Sequence, residues 1–459
     1  MPAPAPAAHH PPRQTPPALP PAAGRVPASL TADDKVAFAL GFPVHVGVDT
    51  GKSFHQLVAR GPDGRRRPAR RVDVSRASFE AAHQYLVDTF GVAPTEVLVG
   101  VEFAGHHGVT FTAFLRARGY AVVAVLPSVT KKLKEVEDNS PRKDDAKDAA
   151  QICKLLASGL FVGVPQLSAE VAEMRVLATE RHRLAVEATR LRNRLHGCLD
   201  QAWPEFAPSF ATLLAPTPLA LLRRWPLPAD LVAAPPRTVR ALVKEVSRNH
   251  VSAERVDALI AAARETVGVG AAADARRAEI HRLLDRYALL LTQAAAIEAR
   301  LEGLVAAHPG ARALATVPEV SAVCAATLVA ELGTPETFVA PRQVLKLAGM
   351  NLARKESGTS VRGRVKQTKR GRPLLRRQLF LLAGRWCSGR GLYRADYLAL
   401  KARNGGSKTS AMCAIARRLV PLLLHVLRTG EPFDVTRWRR GRTVLPPPPV
   451  RGRYRDLVA

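Results

Sequence analysis

The sequence predicts an α/β domain, then a long helical middle, then a mostly helical and strongly basic C-terminal part. Three observations predict this. Over residues 41–159 short apolar runs alternate with amphipathic segments, the pattern of strands and covering helices. Two long helical patterns rich in Arg and Glu follow, at about 169–203 and 273–307. From Arg342 to the end, 28 Lys/Arg stand against 5 Asp/Glu, which is +23 of the formal net charge of +29.

The elements follow in order. Residues 1–40 are dominated by Pro and Ala and read mostly as a disordered leader. Residues 44–49 form a buried strand that ends on Asp49. Residues 53–60 and 69–74 are two more strands, joined through Gly61-Pro62-Asp63-Gly64 into a meander. Residues 77–90 form a helix with Phe79, Ala82, Tyr85, Leu86 and Phe90 on one face. A fourth strand at 96–101 runs into Glu102, and a helix at 109–118 leads to a fifth strand at 120–126. After the loop Asp138-Asn139-Ser140-Pro141 comes a helix at 144–157. The order βββαβαβ…α is that of a ribonuclease H-like sheet, occupying residues 41–160. There the fourth strand lies parallel beside the first, so Asp49 and Glu102 approach at neighbouring strand ends.

In the middle region, 161–308, the two long helices are expected to pair as an antiparallel coiled coil around a small Pro-punctuated helical insert at 204–267. The C-terminal domain, 309–430, should hold helices at 322–332, 343–348, 374–386, 393–403 and 410–427, with a basic Gly-containing loop at 351–372. Residues 431–459 read as a basic mobile tail.

A length of 459 residues suggests about three domains. The charge points to nucleic acid or an anionic membrane surface. No stretch reads as a transmembrane helix, and the N-terminus lacks an apolar signal core. Cys153, Cys198, Cys324, Cys387 and Cys413 are far apart, with no CxxC pair for zinc. Reduced thiols in the cytoplasm, with a nucleoid association, are expected.

The carboxylates carry the chemistry. Phosphodiester cleavage with two metal ions needs several acids converging on a small volume, and Mg²⁺ (or Mn²⁺) prefers hard oxygen ligands. Asp49 and Glu102 end strands. Asp145 and Asp148, spaced i, i+3, share a helix face, whereas Asp144 lies about 100° around it. Each acid alone could be a turn or cap residue, and Lys143 and Lys147 a solvated face. The ordered set favours a metal site. Gly47–Ser53 imitates a P-loop, but three residues rather than four separate Gly47 from Gly51. Asp49-Thr50-Gly51 imitates an aspartic-protease triplet, against the parallel-sheet pattern and the charge. A sugar-kinase-like site would need a second Gly-rich phosphate loop, which the sequence does not display.

Three motifs carry a resemblance. Val46-Gly47-Val48-Asp49, Val101-Glu102-Phe103-Ala104-Gly105 and Lys143-Asp144-Asp145-Ala146-Lys147-Asp148-Ala149 resemble the DEDD transposases of bacterial insertion sequences, the "one-hundred-and-ten" family. Residues 314–332 resemble that family's second domain, and Glu356-Ser357-Gly358 its Ser-Gly motif. The resemblance covers about 44–427. It implies a RuvC-type catalytic domain with Asp49, Glu102, Asp145 and Asp148 as a Mg²⁺-binding tetrad, and Ser357 as a nucleophile that joins transiently to DNA. It also implies DNA donor and target, a structured guide RNA from the element, and a homodimer or homotetramer with a composite site. There are departures: the family's Pro-Gly-Ile-Gly hairpin reads Pro318-Glu319-Val320-Ser321 here, the Thr before the third acid is Asp144, and the leader is extra.

From the residues alone, Ser357 sits in a loop among Lys355, Arg362 and Arg364, where cations could stabilise charge on a phosphate, but Ser-Gly is also ordinary turn chemistry. Arg362, Arg364, Lys366, Lys369, Arg370 and Arg372 form a candidate phosphate-contacting loop, continued by Arg376, Arg377, Arg417 and Arg418. Aromatic residues are scarce, so backbone and duplex contacts are expected over base stacking. Three functions stand: a transposase with a serine–DNA intermediate, a hydrolytic junction-type nuclease using the same acids, and an inactive nucleic-acid-binding protein.

Overall fold

The computed structural model describes residues 32–440 except 104, 138–144, 165, 354–355, 358–360, 363–365 and 390. Of the expected features, the leader up to residue 31, the loop at 138–141, Lys143, Asp144, Lys355 and Arg364 lie outside the described residues. The chain forms two compact units: Met1–Gln166 with the short segment Glu336–Val339, and Leu167–Pro335 with Ala340–Ala459.

The first unit is a six-stranded mixed sheet between helices. Its elements are α1 (Ala32–Leu40), β1 (Val44–Thr50), β2 (Phe54–Arg60), β3 (Arg70–Asp73), α2 (Arg76–Phe90), β4 (Val97–Glu102), α3 (Val109–Ala117), β5 (Ala121–Val125), α4 (Pro127–Glu137), α5 (Asp145–Ala157) and β6 (Val162–Gly163). The spatial order is β3-β2-β1-β4-β5-β6. β1, β2 and β3 are antiparallel neighbours, β1, β4 and β5 run parallel, and β6 closes the edge antiparallel. This is the ribonuclease H-like arrangement that the element order predicts.

Strand alternation sorts the two faces. Val44, Val46 and Val48 of β1 and Val97, Val99 and Val101 of β4 pack with Phe79, Ala82 and Leu86 of α2 and with Phe111 and Leu115 of α3. On the other face, Leu98, Val123 and Val125 pack with Ile152, Leu155 and Leu156 of α5 and with Ala39 of α1. The stretch read as leader therefore ends in an ordered helix. Ala39 is fully buried, and His45 Nε2 lies 2.8 Å from the Ala39 carbonyl, a hydrogen bond tying α1 to β1.

The second unit is helical: α6 (Ala169–Ala202), α7 (Pro216–Arg224), α8 (Pro228–Ala233), α9 (Pro236–Ser247), α10 (Ala253–Arg264), α11 (Ala273–Ala307), α12 (Pro309–Ala315), α13 (Ala322–Leu332) and α14 (Pro341–Leu347). The strand pairs β7 (Leu352–Ala353) with β10 (Lys366–Gln367) and β8 (Glu356–Ser357) with β9 (Val361–Arg362) follow, then α15 (Pro373–Cys387), α16 (Arg394–Arg403), α17 (Lys408–Thr429) and α18 (Val435–Arg440). The long helices α6 and α11 pack antiparallel. Arg300 bonds Glu173 at 2.7 and 2.9 Å, Arg181 bonds Glu298 at 2.5 Å, and Arg276 near the start of α11 reaches Gln201 near the end of α6. At that end the insert helices α7–α10 close a core around Trp203, Phe206, Leu222, Leu231 and Val239.

The tail read as mobile from 431 is ordered as far as Arg440, for an aromatic reason. Trp438 lies edge-on to Trp386 and Tyr393, with centroids 6.0 and 5.5 Å apart, and Phe433 joins the same cluster. Helix α17 is long and apolar enough to cross a membrane by length and composition alone. Here it is the central helix of its bundle, burying Ile415, Leu419, Leu423 and Leu427.

The candidate active site

Two glycines place the site. Gly47 of β1 and Gly100 of β4 are register partners, two residues before Asp49 and Glu102 on the face that α5 covers. A Cβ on Gly47 would lie 2.1 Å from the Ala149 carbonyl oxygen and 2.7 Å from the Cys153 nitrogen. One on Gly100 would lie 2.7 Å from Leu156 Cδ2. The missing side chains let α5 seat directly on the sheet. Two residues along the strands is about 7 Å, and one turn back along the helix is about 5 Å. The first turn of α5 therefore comes level with the strand ends.

Asp49, Asp145 and Asp148 meet there. Each offers a carboxylate oxygen, and these three oxygens lie within 4.8 Å of one another. Asp148 is buried, at 8% exposure, and Asp49 and Asp145 are half-buried. Glu102 is the direct register partner of Asp49 on the parallel neighbour, so its side chain projects to the same face. It is not one of the three converging acids. Its Oε2 is nevertheless buried without a hydrogen-bond partner, an arrangement that costs free energy unless something compensates it. Thr50, next to Asp49, donates a 2.7 Å hydrogen bond to the Glu102 carbonyl and locks the two strand ends together.

Three carboxylates this close repel one another and favour a bound cation. All donors are hard oxygens, and Glu102 adds a buried, unsatisfied one. The set fits Mg²⁺ or Mn²⁺ and is unlike a zinc site of Cys and His. One cation is already present: Lys134 of α4 places its Nζ against Asp148 Oδ1. Sequence reasoning did not find Lys134, because it found no helix between β5 and α5. Nor did it use the paired glycines, although their identical offset from the two acids was visible in the strands.

The basic and serine candidates lie in the second unit. Ser357 is in the two-residue strand β8, paired with Val361 of β9, and Arg362 follows in the same hairpin. Lys366 is in β10, and Lys369, Arg370 and Arg377 are exposed. Two of the expected phosphate contacts also bond the protein itself, through one guanidinium nitrogen each. Arg372 donates to the Glu331 carbonyl, and Arg376 donates to the carbonyls of Ala348 and Lys369 at 2.9 and 3.2 Å. The hairpin Pro318–Ser321 keeps its turn without glycine: Glu319 sits at φ +64°, the left-handed region, and Ser321 caps α13 through the Cys324 nitrogen. Trp386 Nε1 bonds the Pro318 carbonyl at 2.6 Å, and Arg385 bonds that of Glu319 at 3.0 Å.

A ribonuclease H-like sheet with converging acids at its strand ends, followed by a basic helical unit, is the arrangement expected of a DEDD-type transposase, and comparison with known proteins agrees. The DEDD transposase profile of IS110 matches residues 46–204, and that of the transposase IS116/IS110/IS902 family matches residues 311–397. The 43.6 kDa IS110 insertion-element protein of Streptomyces coelicolor is 29% identical over 400 residues, spanning 85% of this chain and 95% of its own length. The 44.8 kDa IS116 insertion-element protein of Streptomyces clavuligerus is 26% identical over 394 residues, spanning 85% and 96%. The chain belongs to the IS116/IS110/IS902 family of insertion-sequence transposases, and its activity is that of a DNA transposase or recombinase.

Proposed function

We propose that this transposase cleaves and exchanges DNA strands in a Mg²⁺- or Mn²⁺-dependent reaction, through a covalent Ser357–DNA intermediate. The observation that carries the reading is the convergence of Asp49, Asp145 and Asp148, with a buried, unsatisfied Glu102 oxygen in register beside them. These four acids would hold the ions, which when bound supply charge neutralisation at the scissile phosphate. The chain's own part is to fix the ligands: the strand ends hold Asp49 and Glu102, and α5, seated on Gly47 and Gly100, holds Asp145 and Asp148.

In the covalent step the Ser357 hydroxyl oxygen forms a bond to phosphorus. The phosphorus–oxygen bond to the neighbouring deoxyribose breaks, and the departing oxygen takes up the proton that serine gives up. A second strand's hydroxyl then reverses the step on a new end. Exposed Lys369, Arg370 and Arg377, with Arg362, Arg364 and Lys366, would contact phosphates. Such contacts carry little sequence information, which suits target choice by an element-encoded RNA that pairs with DNA. The antiparallel α6–α11 pair is read as a coiled-coil arm of a dimer or tetramer. The working location is the cytoplasm, at the nucleoid.

The test is adduct formation. The protein is mixed with element-end DNA, RNA transcribed from the flanking region and Mg²⁺, then denatured. DNA is expected to remain attached to the wild type and to be lost with Ser357→Ala and with Asp49→Ala. Cleavage that survives Ser357→Ala without any adduct would replace this reading with a hydrolytic nuclease.

A further inference from the structure

We infer that Lys134 is a placeholder cation for the acid site: it occupies Asp148 when no divalent ion is bound and must leave that carboxylate when one binds. The inference rests on the reading of the four acids as a metal site. Leu133 and Val129 pack α4 onto the core beneath α5, which fixes the backbone from which Lys134 projects. The neighbouring Lys131 is 79% exposed and pairs with Glu135 on its own helix. Lys134 is only 35% exposed and turns inward, with Nζ against Asp148 Oδ1, whose side chain is 12% exposed.

Charge decides what this contact can do. Asp49, Asp145 and Asp148 bring three negative charges within 4.8 Å, and Lys134 sets one positive charge against Asp148. Lys134 thus eases the repulsion among the acids at Asp148. A divalent ion satisfies them better, but an ammonium and a divalent ion a few ångströms apart repel strongly in a half-buried site. The two therefore compete for Asp148. The four-carbon stem and partial exposure of Lys134 give it a way out toward solvent. Intrinsic affinity for the metal is held down by the exchange, and the folded state without metal is held up by it.

The test uses the full chain without DNA. Mn²⁺ binding is measured by isothermal titration calorimetry, and unfolding temperature is measured in chelator and in Mn²⁺. Wild type, Lys134→Met, Lys134→Arg and Asp49→Asn are compared. Lys134→Met is expected to bind Mn²⁺ about tenfold more tightly, the scale of one removed competing charge. It should also melt lower than wild type in chelator and gain more from Mn²⁺. Folding only with Mn²⁺ would be the extreme of the same result. Lys134→Arg, which keeps the charge, should stay close to wild type. Binding by Lys134→Met that equals or falls below wild type, while Asp49→Asn loses it, overturns the role of Lys134 and leaves the metal site standing. Folded wild type that binds no Mn²⁺ overturns both.

Discussion

Gly47→Ala is the sharpest perturbation the fold offers, because it acts on the site without touching an acid. The new Cβ would start 2.1 Å from the Ala149 carbonyl oxygen and 2.7 Å from the Cys153 nitrogen. Both are backbone atoms of α5, so no rotamer change relieves the clash. To restore a contact of 3.0–3.4 Å the helix has to retreat by about 1 Å. Overpacking of this kind costs about 1–3 kcal/mol, or more where backbone must move. For a unit of this size that is a fall of roughly 3–10 °C in Tm. The functional loss should be larger than the stability loss. Asp145 and Asp148 ride on the displaced helix while Asp49 and Glu102 stay with the strands, and a misplacement of about 1 Å costs about 10²-fold in rate. Thermal unfolding with and without Mn²⁺, followed by the strand-cleavage assay, measures both. Gly100→Ala is the matched control: it meets side chains rather than backbone, Leu156 Cδ2 at 2.7 Å, Leu156 Cγ at 3.0 Å and Ile152 Cγ2 at 3.1 Å, and should be milder on both counts. A Gly47→Ala protein with wild-type Tm, metal response and cleavage would refute the account of how α5 is seated.

Other positions give independent tests. Gly303 lies inside α11 with nothing within 4 Å of an added Cβ, so Gly303→Ala should stabilise by about 1 kcal/mol in chemical denaturation. Burial pushes His55 down from its usual value, helped by His107, and neither ring nitrogen has a partner. Burial also lowers His45, against the opposing pull of the Ala39 carbonyl. Both imidazoles are thus neutral in the fold at pH values where the unfolded chain binds protons. Their contribution is fully present above the unfolded value of about 6.5 and is lost as pH falls through the lower folded values. His55→Phe should flatten that decline in a Tm-against-pH series, and an unchanged slope would remove His55 from the account. Asp396 is 2% exposed and bonded to Arg418 at 3.0 Å, so Asp396→Ala should cost about 1–3 kcal/mol by removing the acceptor of this charge-assisted hydrogen bond, as read by urea unfolding.

The N-terminal sheet was largely legible because β1, β4 and β5 are buried on both faces. β1 and β4 read as continuous apolar runs closing on acids, and the i, i+3 spacing of Asp145 and Asp148 located α5. Helix α4 was not legible. The apolar residues on its inward face are only Val129 and Leu133, beside the buried Thr130, while Val136 is 84% exposed, so the apolar period is too weak to stand out. With it went Lys134. The ordered tail was hidden for another reason: Trp386, Tyr393, Phe433 and Trp438 meet only through tertiary packing. Charge counting also could not tell Arg377, which faces outward, from Arg372 and Arg376, which each turn one guanidinium nitrogen onto the protein's own carbonyls. A guanidinium satisfies a carbonyl or a phosphate with the same fork, and only geometry separates them.

The central claim is that acids from β1, β4 and α5 form one divalent-ion site. The most direct measurement is an anomalous-scattering map of crystals grown with Mn²⁺. The account predicts a peak about 2.0–2.3 Å from carboxylate oxygens of Asp49 and Asp148, with Glu102 or Asp145 completing the shell. Peaks only at other carboxylates, with Glu102 Oε2 still unliganded, would contradict it.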